Sequence, residues 1–205
     1  MKRWNRVVFA AIALSLIVPA ACAQQPQAQV GKAAPNFTLT DTNGKTHNLS
    51  DFKGKYVVLE WLNHGCPYVG KHYNSGNMQK LQKEYTGKGV VWLSIVSSAP
   101  GKQGHMPPEE ANRVAKEKNA APTAILIDEK GTVGRMYGAK TTPQMVVITP
   151  EGTLVYNGAI DDKPTTEVAD IQSANNYLVA ALTETMAGKP VSTATTQPYG
   201  CSVKY

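Results

Sequence analysis

Hydrophobic positions in this chain fall into short continuous runs and into helical stripes, and the two alternate. Residues 56–59 (Tyr56-Val57-Val58-Leu59) form an apolar, β-branched run that predicts a strand buried on both faces. Residues 90–96, 124–127 and 145–148 predict further core strands. Met78, Leu81 and Tyr85 keep helical spacing after a weak point at Ser75-Gly76-Asn77, and Gly87 and Gly89 stop it. Residues 109–118 predict a polar amphipathic helix and residues 133–137 a short one. The longest stripe, Val168, Ile171, Leu178, Val179, Leu182 and Met186, predicts one helix over residues 166–187, ended by Gly188 and Pro190. Two hairpins complete the set: residues 37–39 with 46–49 across the turn at 41–44, and residues 145–148 with 153–158 across Pro150-Glu151-Gly152. Residues 99–108 are a Gly/Pro loop, and there are no internal repeats.

Strands alternating with helices and then a hairpin predict an α/β domain, a central mixed sheet with helices on both faces and a β-hairpin at its N-terminal end. The boundaries predicted are a leader over residues 1–23, a Gln/Ala/Pro linker over 24–29, the domain over 30–187, and a tail over 188–205. The Thr/Ser-rich start of that tail reads as disordered, whereas Pro198-Tyr199-Gly200-Cys201 does not.

The leader changes the chemistry available to the rest. Lys2, Arg3 and Arg6 precede a twelve-residue apolar core, and Ala21-Cys22-Ala23 supplies a small-x-small cleavage pattern. The core is too short to span a bilayer comfortably, so export, to a bacterial periplasm, is expected without stable membrane insertion. A lipoprotein reading through Cys22 is disfavoured by Pro19 three residues upstream. The formal charge is +6, half of it from the leader, and no basic run supports a nucleic-acid partner. Cleavage leaves two cysteines, Cys66 and Cys201, in a compartment that permits disulfides.

Cys66 is the centre of the chain's chemistry. It follows the first buried strand through Asn63-His64-Gly65 and precedes Pro67, a residue favoured in the first turn of a helix. A thiol at a helix N-terminus meets unpaired N–H groups and the positive end of the dipole, which favour a nucleophilic thiolate. A cysteine that merely packs in the core is the plainer alternative.

The order of elements, the cysteine after a buried strand, Thr142-Pro143 before the hairpin and a final packed helix resemble the thioredoxin fold, a three-layer sandwich. GCPYV around Cys66, TTPQMVVITPEGTLVYNGAIDD from Thr141 and NYLVAAL from Asn176 resemble, more narrowly, exported redoxins of the alkyl hydroperoxide reductase/thiol-specific antioxidant group. The resemblance implies that Cys66 is the attacking sulfur and that Thr142-Pro143 is a cis bond. It also implies that Thr142, Pro143 and Pro67 border the bound substrate. Glu60, six residues before Cys66, matches the buried carboxylate that thioredoxins use for proton transfer; an acid pointing to solvent is its alternative.

Two departures matter. Val69 stands where C-x-x-C has its second cysteine, and Leu59 and Asn63 stand where peroxiredoxins carry proline and threonine in P-x-x-x-T-x-x-C. Cys201 is therefore expected to replace the missing cysteine by pairing with Cys66 within one chain; a free tail thiol and a bridge between chains are the competing readings. His64 is a candidate to stabilise the thiolate or to act as acid/base. Ordinary solvent-facing loop histidine is its alternative, as solvated lysine is for Lys71, and Arg113 and Arg135 are candidate charge partners. No ligand spacing predicts a metal, and no cofactor is expected. The function expected is thiol-disulfide exchange with a protein disulfide, reset by a reducing thiol protein. The alternatives are a thiol peroxidase acting on peroxide and a non-catalytic binding or metal-handling module.

Overall fold

The apolar runs become strands of one seven-stranded sheet in the computed structural model, which describes Met1 and residues 26–205. In chain order the elements are β1 (Thr38–Asp41), β2 (Thr46–Asn48), β3 (Val57–Trp61), α1 (Pro67–Asn74), α2 (Asn77–Gly87), β4 (Val91–Val96), α3 (Pro108–Glu117) and β5 (Ala124–Ile127). They continue with α4 (Thr132–Met136), β6 (Thr141–Thr142), β7 (Gln144–Ile148), β8 (Leu154–Gly158), α5 (Tyr177–Met186) and β9 (Cys201–Ser202). The sheet runs β2-β1-β5-β4-β3-β7-β8, with β3, β4 and β5 parallel and the outer pairs antiparallel.

Alternation along β3 shows why its run is apolar throughout. Val57, Leu59 and Trp61 join one cluster with Phe37, Leu93, Val133 and Tyr137. Val58 and Leu62 join another with Val69, Met78, Leu81, Leu178 and Leu182. Helices α1, α2 and α5 thus cover one face and α4 the other, the three layers expected for this fold class. The weak point at Ser75-Gly76-Asn77 divides α1 from α2, with Gly76 at φ +76°, where side chains other than glycine are strained.

Two sequence expectations are corrected. The helix over residues 166–187 is only α5; residues Val168–Ser173 form a 3-10 segment, and Val168 and Met186 are exposed. Asn176 caps α5 by accepting the Val179 N–H, and Asp162 holds Asn175 through its N–H and side-chain amide, so the helix cannot extend backwards. The tail, in turn, is ordered: Asn157 bonds to Ala194 and Thr196, and β9 pairs antiparallel with β6. The leader's cleavage site and Cys22 lie outside the described residues. Among the described residues, no helix is long and apolar enough to cross a membrane.

Candidate active site

Local hydrogen bonds aim Cys66 where the sequence predicts. The Leu62 N–H is held by Ile95, Asn63 Oδ1 accepts the Gly65 N–H at 2.8 Å, and the Cys66 N–H closes the turn on the Asn63 carbonyl at 3.0 Å. Cys66 is the extended N-cap of α1, with Pro67 at its first position. The Thr142-Pro143 bond is cis, and both residues are buried beside the sulfur. Cys66 Sγ donates to the Thr142 carbonyl at 3.2 Å and accepts the Cys201 N–H at 3.3 Å. That second contact follows from the β6–β9 register, in which Thr142 faces Cys201. Both cysteines are thiols here; Cys66 is 1% exposed and Cys201 half-buried.

The two thiols are polarised in opposite directions. Burial alone would raise the Cys66 pKa, but hydrogen bonds from the Cys201 thiol, the Val69 and Cys201 N–H groups and the Thr142 hydroxyl outweigh it and hold the value below that of an ordinary thiol. Burial, the hydrogen bond to Cys66 and its charge push Cys201 up to about 11. Of the two thiols, Cys66 is the more readily ionised and Cys201 the more firmly protonated.

Glu60 is fully buried rather than solvent-facing. It projects from β3 toward α1 and accepts from Tyr73 Oη at 2.8 Å, Trp92 Nε1 at 2.7 Å, Ser94 Oγ at 2.8 Å and Gln82 Nε2 at 3.1 Å. Burial raises its pKa and these four donors lower it, with the net direction upward. No hydrogen bond joins Glu60 to Cys66 among the described residues. It lies on the same side of the sheet, behind Tyr73.

His64 is corrected as a source of positive charge. Its ring packs edge-on to Tyr73, centroids 4.8 Å apart, and burial, with a smaller contribution from Lys118, lowers its pKa to about 4. It is neutral at physiological pH and cannot stabilise the thiolate as imidazolium. Asn63 shapes the turn twice, its side-chain oxygen accepting from Gly65 and its backbone carbonyl from Cys66. Arg113 pairs with Glu110 and Glu117 on an exposed helix face, and Arg135 stacks over Tyr205, so neither is a charge partner of Cys66. Among the described residues, no group of three or more His, Cys, Asp or Glu side chains is placed to hold a metal.

Lys71 is buried, not solvated, and it belongs to a polar cluster that sequence reasoning missed. Its Nζ donates to the Lys163 carbonyl at 2.8 Å and lies 3.7 Å from Asp161 Oδ2. His72 Nε2 is 3.8 Å from the same oxygen and 3.3 Å from Tyr199 Oη, which donates to Asp161 Oδ1 at 2.5 Å. Burial holds the His72 pKa down to about 4. The one legible signal was spacing, because His72 lies three residues after the inward-facing Val69.

A buried cysteine at a helix N-cap, next to a cis-proline and just past the end of an interior strand of a mixed sheet, defines the thioredoxin-like class. Residues 30–157 match the AhpC/TSA family, and the chain belongs to it as a thioredoxin-fold oxidoreductase. The thiol-disulfide oxidoreductase ResA of Bacillus thuringiensis subsp. konkukian is 28% identical over 166 residues, covering 76% of this chain and 88% of the relative. The crystal structure of an uncharacterized conserved protein from Geobacillus kaustophilus superposes with a TM-score of 0.71 at 29% identity, over 86% of this chain and 92% of that one. A hypothetical protein from Sinorhizobium meliloti shares the fold at the same TM-score and 24% identity, over 86% and 94% of the two chains.

Proposed function

We propose that this protein is an exported, periplasmic thiol-disulfide oxidoreductase in which Cys66 and Cys201 act as one dithiol–disulfide couple. The observation that carries the reading is the Cys201 N–H on Cys66 Sγ at 3.3 Å, which brings two cysteines 135 residues apart to one point. Export rests on the basic, apolar and small-residue segments of the leader.

The chemistry balances with these two sulfurs alone. The Cys66 thiolate attacks a disulfide RS–SR′ and forms Cys66–S–S–R, releasing R′S⁻. The Cys201 sulfur then attacks Cys66, its proton going to the departing thiolate, to give the Cys66–Cys201 disulfide and RSH. The substrate has gained two electrons and the protein has lost two, which a reducing thiol protein restores. Thr142, Pro143 and Pro67 frame the substrate side of the sulfur. Glu60 acts through Tyr73 and α1 as a positioning and proton-holding group rather than by direct contact.

The runner-up is a thiol peroxidase, which the family match favours: ROOH would convert Cys66 to a sulfenic acid and ROH, and Cys201 would condense with it to release water. Against it, asparagine stands at position 63, so no threonine hydroxyl is there to frame a peroxide beside the sulfur. Dithiothreitol-driven assays with insulin and with hydrogen peroxide as alternative acceptors separate the two. Insulin reduction should be accelerated and peroxide consumed at its uncatalysed rate. Fast peroxide turnover without insulin reduction would replace the proposal with the runner-up.

A further inference from the structure

The tail is seated in receptacles made for it. A Cβ added to Gly200, whose φ is +129°, would collide with the Thr142 carbonyl, and one at Gly158 would collide with Thr196. Side chains at Gly131 or Gly134 would occupy the space of the Tyr205 ring, which also stacks under Arg135 and donates its hydroxyl to the Ala139 carbonyl at 2.6 Å. On the other side of Cys201, Tyr199 enters the cluster of Asp161, His72 and Lys71. Between these anchors the tail contributes a ladder only two residues long, pairing Cys201 and Ser202 with Thr142 and Thr141.

That ladder occupies the backbone edge beside the attacking sulfur, and Cys66 beneath it is 1% exposed. A polypeptide disulfide needs both the edge and the sulfur, so it competes directly with the tail. We propose that residues 195–205 are a tethered occupant of the polypeptide site, and that Tyr199, held by Asp161, is the latch that sets how often the site opens. Docked, the segment presents Cys201 to Cys66 and resolves a mixed disulfide within the chain. Lifted, it clears the Thr141–Thr142 edge for an extended, cysteine-bearing polypeptide. A two-residue ladder at the end of a chain, held mainly through side-chain anchors, is a unit that can open locally without global unfolding. Asp161 and Tyr199 are positioning residues in this scheme, and the scheme rests on the oxidoreductase reading above.

The test measures access to Cys66 in Cys201→Ser protein starting at Gln24, in which Cys66 is the single cysteine, with a bulky polyethylene-glycol maleimide as probe. Labelling should be slow, and adding Tyr199→Phe should speed it roughly tenfold, the effect of losing one hydrogen bond to a charged acceptor. Adding Gly200→Ala instead, which forbids the docked backbone, should speed it at least as much. Circular dichroism distinguishes a lifted tail from an unfolded chain. Equal labelling rates in all three folded proteins would overturn the latch. Insulin reduction by the wild type is the separate readout: turnover with equal labelling rejects the strap alone, whereas accelerated labelling without wild-type turnover rejects the oxidoreductase reading.

Discussion

Replacing Cys66 with serine will reduce insulin turnover by at least about a thousandfold, to the uncatalysed rate, because a hydroxyl at this position is not ionised near neutral pH. Replacing Cys201 with serine will do something different. Cys66 retains its helix N-terminus and the backbone N–H of residue 201, so the first attack persists, but the mixed disulfide has no internal thiol to release it. Turnover should therefore fall on the order of a hundredfold, while a covalent complex between Cys66 and substrate accumulates and can be isolated without reductant. The two variants lose activity at different steps, and non-reducing electrophoresis distinguishes them. Equal, wild-type-like turnover in the Cys201 variant would remove that residue from the mechanism.

The second large effect concerns stability. Glu60→Gln keeps the volume but replaces one oxygen, shared by Trp92, Ser94 and Gln82, or its partner bonded to Tyr73, with a group that donates. Gln82 cannot turn its amide to compensate without giving up the Ala121 N–H bonded to its Oε1. Even against the protonated carboxyl the amide adds a second hydrogen where the neighbours also donate, so at least one buried donor is left unmatched, and the variant should be less stable by about 1–3 kcal/mol in urea unfolding. The pH dependence has a definite sign. The folded-state pKa of Glu60 is raised, so its contribution is fully present below the unfolded value and is lost as pH rises through the folded one. The stability gap between wild type and Glu60→Gln should be widest in acid and narrow as pH rises. A gap that widens with pH would mean that Glu60 is held as a carboxylate instead.

Much of this arrangement was legible because it is local in sequence. The strand run into Asn63-His64-Gly65, Cys66 and Pro67 specifies its own geometry, and the structure places the sulfur at the predicted N-cap. Thr142-Pro143 carried its resemblance in three residues, and the cis bond beside Cys66 agrees with it. What stayed hidden depends on partners distant in sequence. Whether Glu60 faces core or solvent is decided by Trp92 and Ser94 on the neighbouring strand and by Gln82 on α2. Lys71 looked solvated because the oxygens that receive it belong to residues 161 and 163. His64 looked available to the thiolate because its spacing is short, yet the chain turns its ring onto Tyr73. The helix over residues 166–187 failed for another reason: Val168 and Ile171 extend the stripe of α5, but Asn175 and Asn176 between them are a stop and a cap. The tail's composition suggested disorder, whereas the glycines that receive it are scattered through residues 131–158 and gave no sign of their purpose.

The central claim is that Cys66 and Cys201 form one couple within a single chain, and peptide-mapping mass spectrometry under non-reducing conditions tests it most directly. After oxidation of reduced, monomeric protein with one equivalent of a small disulfide, the account predicts one linked peptide pair containing Cys66 and Cys201, two hydrogens lighter than the reduced pair, in protein of unchanged chain count. Two cysteines that remain free, or a disulfide found only between chains, would contradict it.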